Sequence, residues 1–308
     1  MSTLYIQLFG RLRVWRDNRT VCGFDSRKAQ ELFCYLILHR DHPHSRETLA
    51  ELFWGNSPAA QSKRSFRQTL WQLQAALDTE ASTDRDVLLV ESDWIQINPE
   101  ADLWCDVVIL ERASELISKS SGHDIDSLTA QMVQDALQLY KGDLLETWYQ
   151  DWCLFERERL QNILLNILDK MMSYCEAHYD FDAGLSYGER TLRYDRAHER
   201  THARMMRLHY LRGDRTAALR QYESCVAALE QELDVKPTKS TETLYRQIRA
   251  DQVSSPSLGS SDIDSAIKAA PVAEILERLR QVESVLIGTH HQLQQDLQAL
   301  ERVLIHSR

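Results

Sequence analysis

Apolar and polar positions change period several times along the 308 residues. Residues 4–25 form short runs, LYIQLFG and LRVWRD, broken at Gly10 and at Asp17-Asn18, and predict a small antiparallel sheet. From Ser26 the period becomes helical: SRKAQELFCYLILHR sets Leu32, Phe33, Leu36 and Ile37 on one face. HPHSRETLAELFW predicts a second, short helix, opened by Ser45 with Glu47 and Thr48 and buried through Leu49, Leu52 and Phe53. Gly55-Asn56-Ser57-Pro58 reads as a turn. A third helix follows from about Ala59 to Leu77, where Phe66, Leu70, Leu73 and Leu77 recur at helical spacing. VLLVESDWIQINP then predicts a hairpin turning at Glu91-Ser92-Asp93. Sheet, helix, short helix, turn, long helix and hairpin make a winged helix-turn-helix over residues 1–98.

From Asp102 to about Gln252 the pattern is almost wholly helical. The predicted helices are Val107–Ile117, Ala130–Tyr140, Trp152–His178, Asp182–Tyr194, His198–Arg212, Arg215–Glu232 and Ser240–Arg249. Asp180, Ala183 and Leu185 recur as Asp214, Ala217 and Leu219, a spacing of 34 residues, which is the tetratricopeptide period. Ala218, Tyr222 and Pro237 fall near that repeat's small, aromatic and proline positions. Residues 253–271 are rich in Ser and read as a flexible linker. Residues 272–308 carry a narrow seam, Leu279, Val282, Leu286 and Leu293, with Thr289 in a weak slot and a phase slip before Leu297, Leu300 and Leu304. Two uses of that helix stay open: a coiled-coil homodimer, or folding back onto the repeats. The expected fold is therefore mainly α, with an α+β winged helix, a tetratricopeptide-like domain over 102–252 and a C-terminal heptad helix.

Charge changes the picture locally. The whole chain carries −10, which disfavours indiscriminate polyanion binding. Eleven Lys/Arg against six Asp/Glu nevertheless give residues 1–77 a charge of +5. On a helical wheel the outer side of Ala59–Leu77 collects Gln61, Arg64, Gln68 and Gln72, flanked by Arg67 and Trp71, with Lys63 in the first turn. No acid lies between Ala59 and Leu77, although solvated helix faces usually mix signs. Arg forks bind guanine or phosphate and Gln bridges adenine, so this side suits double-stranded DNA. Arg27, Lys28, Arg46 and Arg85 are further candidates for phosphate.

Other chemistry is weaker. HERTH at 198–202 matches H-E-x-x-H, with His198 and His202 as ligands and Glu199 as base, but no third ligand follows at a family spacing and the segment lies inside the repeats. His39, His42 and His44 follow a helix end and suit its last carbonyls better than a metal. Trp148, Tyr149, Trp152 and Phe155 suit core packing. The six cysteines never form C-x-x-C, as expected of reduced thiols in a cytoplasm. No signal peptide, membrane span, catalytic residue, metal or cofactor is expected.

FGRLRVWRDNRTV, SRKAQELFCYLILHRDHPHSRETLAELFW and RSFRQTLWQLQAAL resemble the winged-helix domain of response regulators, in the form used by SARP-like activators. ALQLYKGDLLETWYQDWCLFERERLQ and the stretch from AHERTHARMMRL to TLYRQI resemble their bacterial transcriptional activator domain. The resemblance covers about residues 4–250. It implies a DNA-binding regulator whose third helix enters the major groove, whose wing touches the adjacent backbone, and whose repeats contact RNA polymerase or another regulator protein. Gln72 and Gln74 stand where many relatives carry Arg. No Walker loop or receiver-like segment is visible, so neither nucleotide-driven nor phosphorylation control is expected. An adaptor whose winged helix binds protein is the alternative, with a zinc hydrolase more remote.

Overall fold

The computed structural model describes residues 3–21, 24, 26–77 and 86–252. The linker, the heptad helix and Arg85 lie outside those residues. Two small sheets frame three helices. Strands β1 (Leu4–Gln7), β2 (Arg13–Arg16) and β3 (Arg19–Thr20) run antiparallel in the order expected from the alternating runs. Helix α1 (Arg27–Leu38) buries Leu32, Phe33, Leu36 and Ile37. A strand the sequence does not announce, β4 (His44–Ser45), leads directly into α2 (Arg46–Trp54). Helix α3 (Ala59–Leu77) comes next. The hairpin β5 (Leu88–Val90) and β6 (Trp94–Ile97) pairs with β4 to give a three-stranded wing sheet in the order β4-β6-β5. In α2 the buried residues are Leu49, Ala50 and Phe53; Leu52, expected inside, is exposed because it lies on the outer side of so short a helix.

A second unannounced strand, β7 (Leu103–Cys105), pairs parallel with β1 and runs into α4 (Asp106–Ser118), so it joins the first sheet to the helical part of the chain. The buried Asp106 carboxylate accepts the backbone N–H groups of Leu8, Phe9 and Val107 at 2.8–3.0 Å. Such an arrangement satisfies donors at the end of β1 that would otherwise be stranded in the core. The loop before α6 docks on the same place, with Leu145 N–H bonded to Leu8 O at 2.9 Å and Gly10 N–H to Asp143 O at 2.8 Å.

Helices α5 (Ser127–Leu139), α6 (Asp151–Ala177), α7 (Phe181–Tyr194), α8 (Glu199–Leu211), α9 (Arg215–Leu233) and α10 (Lys239–Arg249) complete the described chain. Their bounds lie within a few residues of those expected. The 34-residue echo is structural. Asp180 accepts Ala183 N–H to cap α7, and Asp214 accepts Ala217 N–H to cap α9. The residues just before, Tyr179 and Gly213, both take left-handed backbone, at φ 60 and φ 89. Gly184 and Ala218 occupy equivalent positions, and a Cβ on Gly184 would come within 2.9 Å of a Leu208 methyl, so the helices close tightly there. One hydrophobic core runs from Leu4 to Met171 without a break, and residues up to Asp251 form one compact unit.

Polar groups also join the N-terminal elements to the helices. Arg40 and Arg159 both ion-pair with Glu111 at 2.7 Å, and Arg159 pairs with Glu156 at 2.8 Å. Gln150 donates to Glu31 at 2.6 Å, and the Arg27 guanidinium lies 3.9 Å over the Trp148 ring. The aromatic cluster divides: Trp148 is buried and Trp152 packs on Tyr35 and Phe53, but Tyr149 and Phe155, expected inside, face solvent. Trp148 and Trp152 meet the N-terminal elements, which occupy only one side of the cluster. Among the described residues no helix is long and apolar enough to cross a membrane.

Candidate nucleic-acid interface

The α2–α3 turn is fixed by a buried hydroxyl. Ser62 Oγ lies 2.8 Å from Trp54 O, 3.2 Å from Ser57 O and 3.3 Å from Pro58 O, the spent carbonyls of α2 and the turn. Gly55 leaves α2 in ordinary right-handed backbone; a Cβ there would meet Glu51 O at 2.6 Å, so close approach requires the glycine. At the other end Arg16 donates to Leu77 O at 3.3 Å, holding the last turn of α3 against β2. Phe66, Leu70, Leu73 and Leu77 are buried, each contributing about 1.5–3 kcal/mol relative to exposure. That stripe fixes which side of α3 faces out.

Gln61, Lys63, Arg64, Arg67, Gln68 and Trp71 all lie exposed on α3, and Gln72 is half-buried at its edge. Among the described residues Arg64 has no ion-pair partner. Arg67 makes a single weak bond, from Nε to Lys63 O at 3.3 Å. Lys63 is less free than the sequence of α3 implies, because α2 brings Glu47 to 2.7 Å from its ammonium. That hydrogen bond holds the Glu47 carboxyl below its ordinary range. Both side chains are largely in solvent, where such a pair contributes little and exchanges readily for another anion.

Arg46 has a specific structural task. Its guanidinium donates to Glu91 O at 3.0 Å and Ser92 O at 3.2 Å, and its backbone N–H bonds Asp93 O at 2.9 Å. Arg46 thereby fastens the wing turn to the start of α2. Between them opens a cleft of about 540 Å³ lined by Arg46, Glu47, Lys63, Arg67, Ser92 and Asp93, among others. The wing turn itself presents two exposed carboxylates, Glu91 and Asp93.

Arg27 and Lys28 belong to a different group. Both pair with the buried Glu31, at 3.2 and 2.8 Å, and Lys28 also lies 5.7 Å from the Phe53 and Trp54 rings. Their place is the joint with the helical part. Ser62, and the pairing of Glu47 with Lys63, are what sequence reasoning passed over. Ser62 stands on the buried side of α3 among apolar residues, a mismatch that signals a specific hydrogen bond.

The zinc-site pattern resolves into packing. His202 is buried, its Nε2 bonded to Arg196 O at 2.9 Å and its Nδ1 to Gln221 at 2.8 Å. Glu199 accepts the N–H and hydroxyl of Thr238, capping α10, while His198 turns to Thr201. Among the described residues no three or more His, Cys, Asp or Glu are grouped to hold a metal. His44 Nε2 contacts His39 O at 2.7 Å, so this histidine does serve the helix end.

Comparison with known proteins agrees with this architecture. Residues 105–249 match the bacterial transcriptional activator domain. Transcriptional regulatory protein MoaR1 of Mycobacterium tuberculosis (strain ATCC 25618 / H37Rv) is 22% identical over 223 residues, covering 72% of this chain and 71% of that protein. The solved structure of Mycobacterium tuberculosis EmbR in complex with a low affinity phosphopeptide superposes with a TM-score of 0.66 at 16% identity, over 82% of this chain and 67% of that one. Over residues 105–249 the chain is thus similar to bacterial transcriptional activator domains, and over most of its length it is similar to a transcriptional regulatory protein.

Proposed function

We propose that this regulator binds duplex DNA sequence-specifically by laying α3 in the major groove. The observation that carries the reading is the outer side of α3: Gln61, Arg64, Arg67 and Gln68 stand exposed opposite a fully buried stripe, with no acid on the helix. Arg64 and Gln68 point furthest from the core and take base edges; Arg67 and Lys63, nearer the cleft, take phosphate. Arg46 acts indirectly, by holding the wing. The exposed aromatics Tyr149 and Phe155 favour a protein partner on the helical part, RNA polymerase or another regulator, and the similarity to an activator domain favours activation. A dimer through residues 272–308 would place two α3 helices on paired half-sites. No catalytic step is part of this function.

Selection from a random duplex pool with the whole protein tests the reading. The expected result is enrichment of one motif, as paired half-sites if the chain dimerises. Recovery of unbiased sequences would favour the adaptor alternative.

A further inference from the structure

Trp71 is 70% exposed on α3. Trp15, Trp54, Trp104, Trp148 and Trp152 all pack against other aromatic rings. Trp71 has no ring, cation or hydrogen-bond partner among the described residues. An indole left in water on a folded surface forgoes the burial that tryptophan normally obtains. Its position is specific. At 3.6 residues per turn, the side of α3 opposite Phe66, Leu70, Leu73 and Leu77 is occupied by Arg64, Gln68, Trp71 and Ala75. Gln61 and Arg64 lie toward the N-terminal end of that stripe, and Ala75, small and exposed, leaves room beyond the ring.

The chemistry of the groove then narrows the ligand. Base edges there present nitrogen and oxygen acceptors and amino donors, all hydrated, and one apolar group, the C5-methyl of thymine. An indole face pressed on the polar edges would strip several waters, and its single N–H could replace one bond at most, whereas the face packed on a methyl loses none. Seven residues separate Arg64 from Trp71, about 10 Å along the helix, or about three base-pair steps at 3.4 Å.

We propose that Trp71 is a specificity-determining residue that packs on a thymine methyl group, about three base steps from the position read by Arg64. This rests on α3 entering the major groove. Deoxyuridine differs from thymidine only by lacking that methyl, so the test is a cycle on the duplex recovered by selection. Each thymine is replaced in turn by deoxyuridine, and the full chain is compared with Trp71→Ala. At one thymine the wild type loses about fourfold in affinity, the weight of one buried methyl. Trp71→Ala binds the thymine duplex more weakly and is indifferent to the replacement there. Equal losses by Trp71→Ala on both duplexes, or no thymine that matters, would overturn the proposal. Arg64→Ala separates this proposal from the groove reading beneath it: if it weakens binding while the thymine cycle is flat, α3 still reads DNA and only the role of Trp71 fails. If neither variant changes binding, the groove reading fails with it. A helical circular-dichroism spectrum unchanged in Trp71→Ala excludes misfolding, as its exposure leads one to expect.

Discussion

A few buried polar atoms decide how this chain is held, and Asp106 is the strongest of them. Its two oxygens serve three backbone donors at the point where β1, β7 and α4 meet. Asp106→Ala leaves those donors buried and unpaired, so thermal or urea unfolding is expected to show a loss of about 3 kcal/mol. A loss below about 0.5 kcal/mol would mean that water replaces the carboxylate. Ser62 shows in the sequence only as a polar residue on an apolar stripe, and Asp106 does not show as a keystone at all. Periodicity reveals which side of an element is apolar, but a polar residue's partner lies 97 residues away for Asp106 and Phe9, and pattern carries no such information. Lys63 illustrates the same limit: the absence of acids along α3 is plain, but Glu47 arrives from α2.

Helices and strands form where the sequence places them when hydrophobic period and punctuation agree. Helix α3 begins where Pro58 places it, and the 34-residue echo reappears as paired Asp caps and left-handed turns. Strands β4 and β7 escape the pattern, because at two and three residues long they exist only where a partner strand is present. The wing turn bears on binding. It offers Glu91 and Asp93 where the SARP resemblance implies contact with the DNA backbone, and like charges repel across so short a distance. Exchange of both for amides, Glu91→Gln with Asp93→Asn, is expected to raise affinity for specific and random duplexes alike, by about three- to tenfold at low salt. A gel-shift or anisotropy titration reads this directly, and unchanged affinity would mean that the wing stays clear of the phosphates.

Across the described chain, the continuous core and the contacts of Glu31 with Gln150, Glu111 with Arg40 and Glu156 with His39 make the N-terminal elements and the helices one unit. His39 stands in that joint, 3.8 Å from Glu156, and His44 beside it belongs to the wing sheet. Burial lowers both histidines from their ordinary value, only partly offset by Glu156 for His39 and by the His39 carbonyl for His44. The folded state therefore favours the neutral rings. Their stabilisation is complete above the ordinary histidine value, about 6.5, and is lost as pH falls through the depressed folded values. The melting temperature should drop between pH 7 and pH 5 in a single transition, and His39→Asn with His44→Gln should flatten that drop. Two separate transitions would contradict the single unit.

The proposed function turns on the outer side of α3 meeting the phosphates and bases of a duplex. The salt dependence of binding probes that encounter, measured by anisotropy on the selected duplex for the full chain and for Arg64→Ala with Arg67→Ala. The double variant is expected to bind more weakly, with a slope of log K against log salt shallower by about 0.9, the share of Arg67 on a phosphate, while the loss of Arg64 from a base edge lowers affinity without a matching change in slope. An affinity and a slope identical to those of the unaltered chain would rule the encounter out.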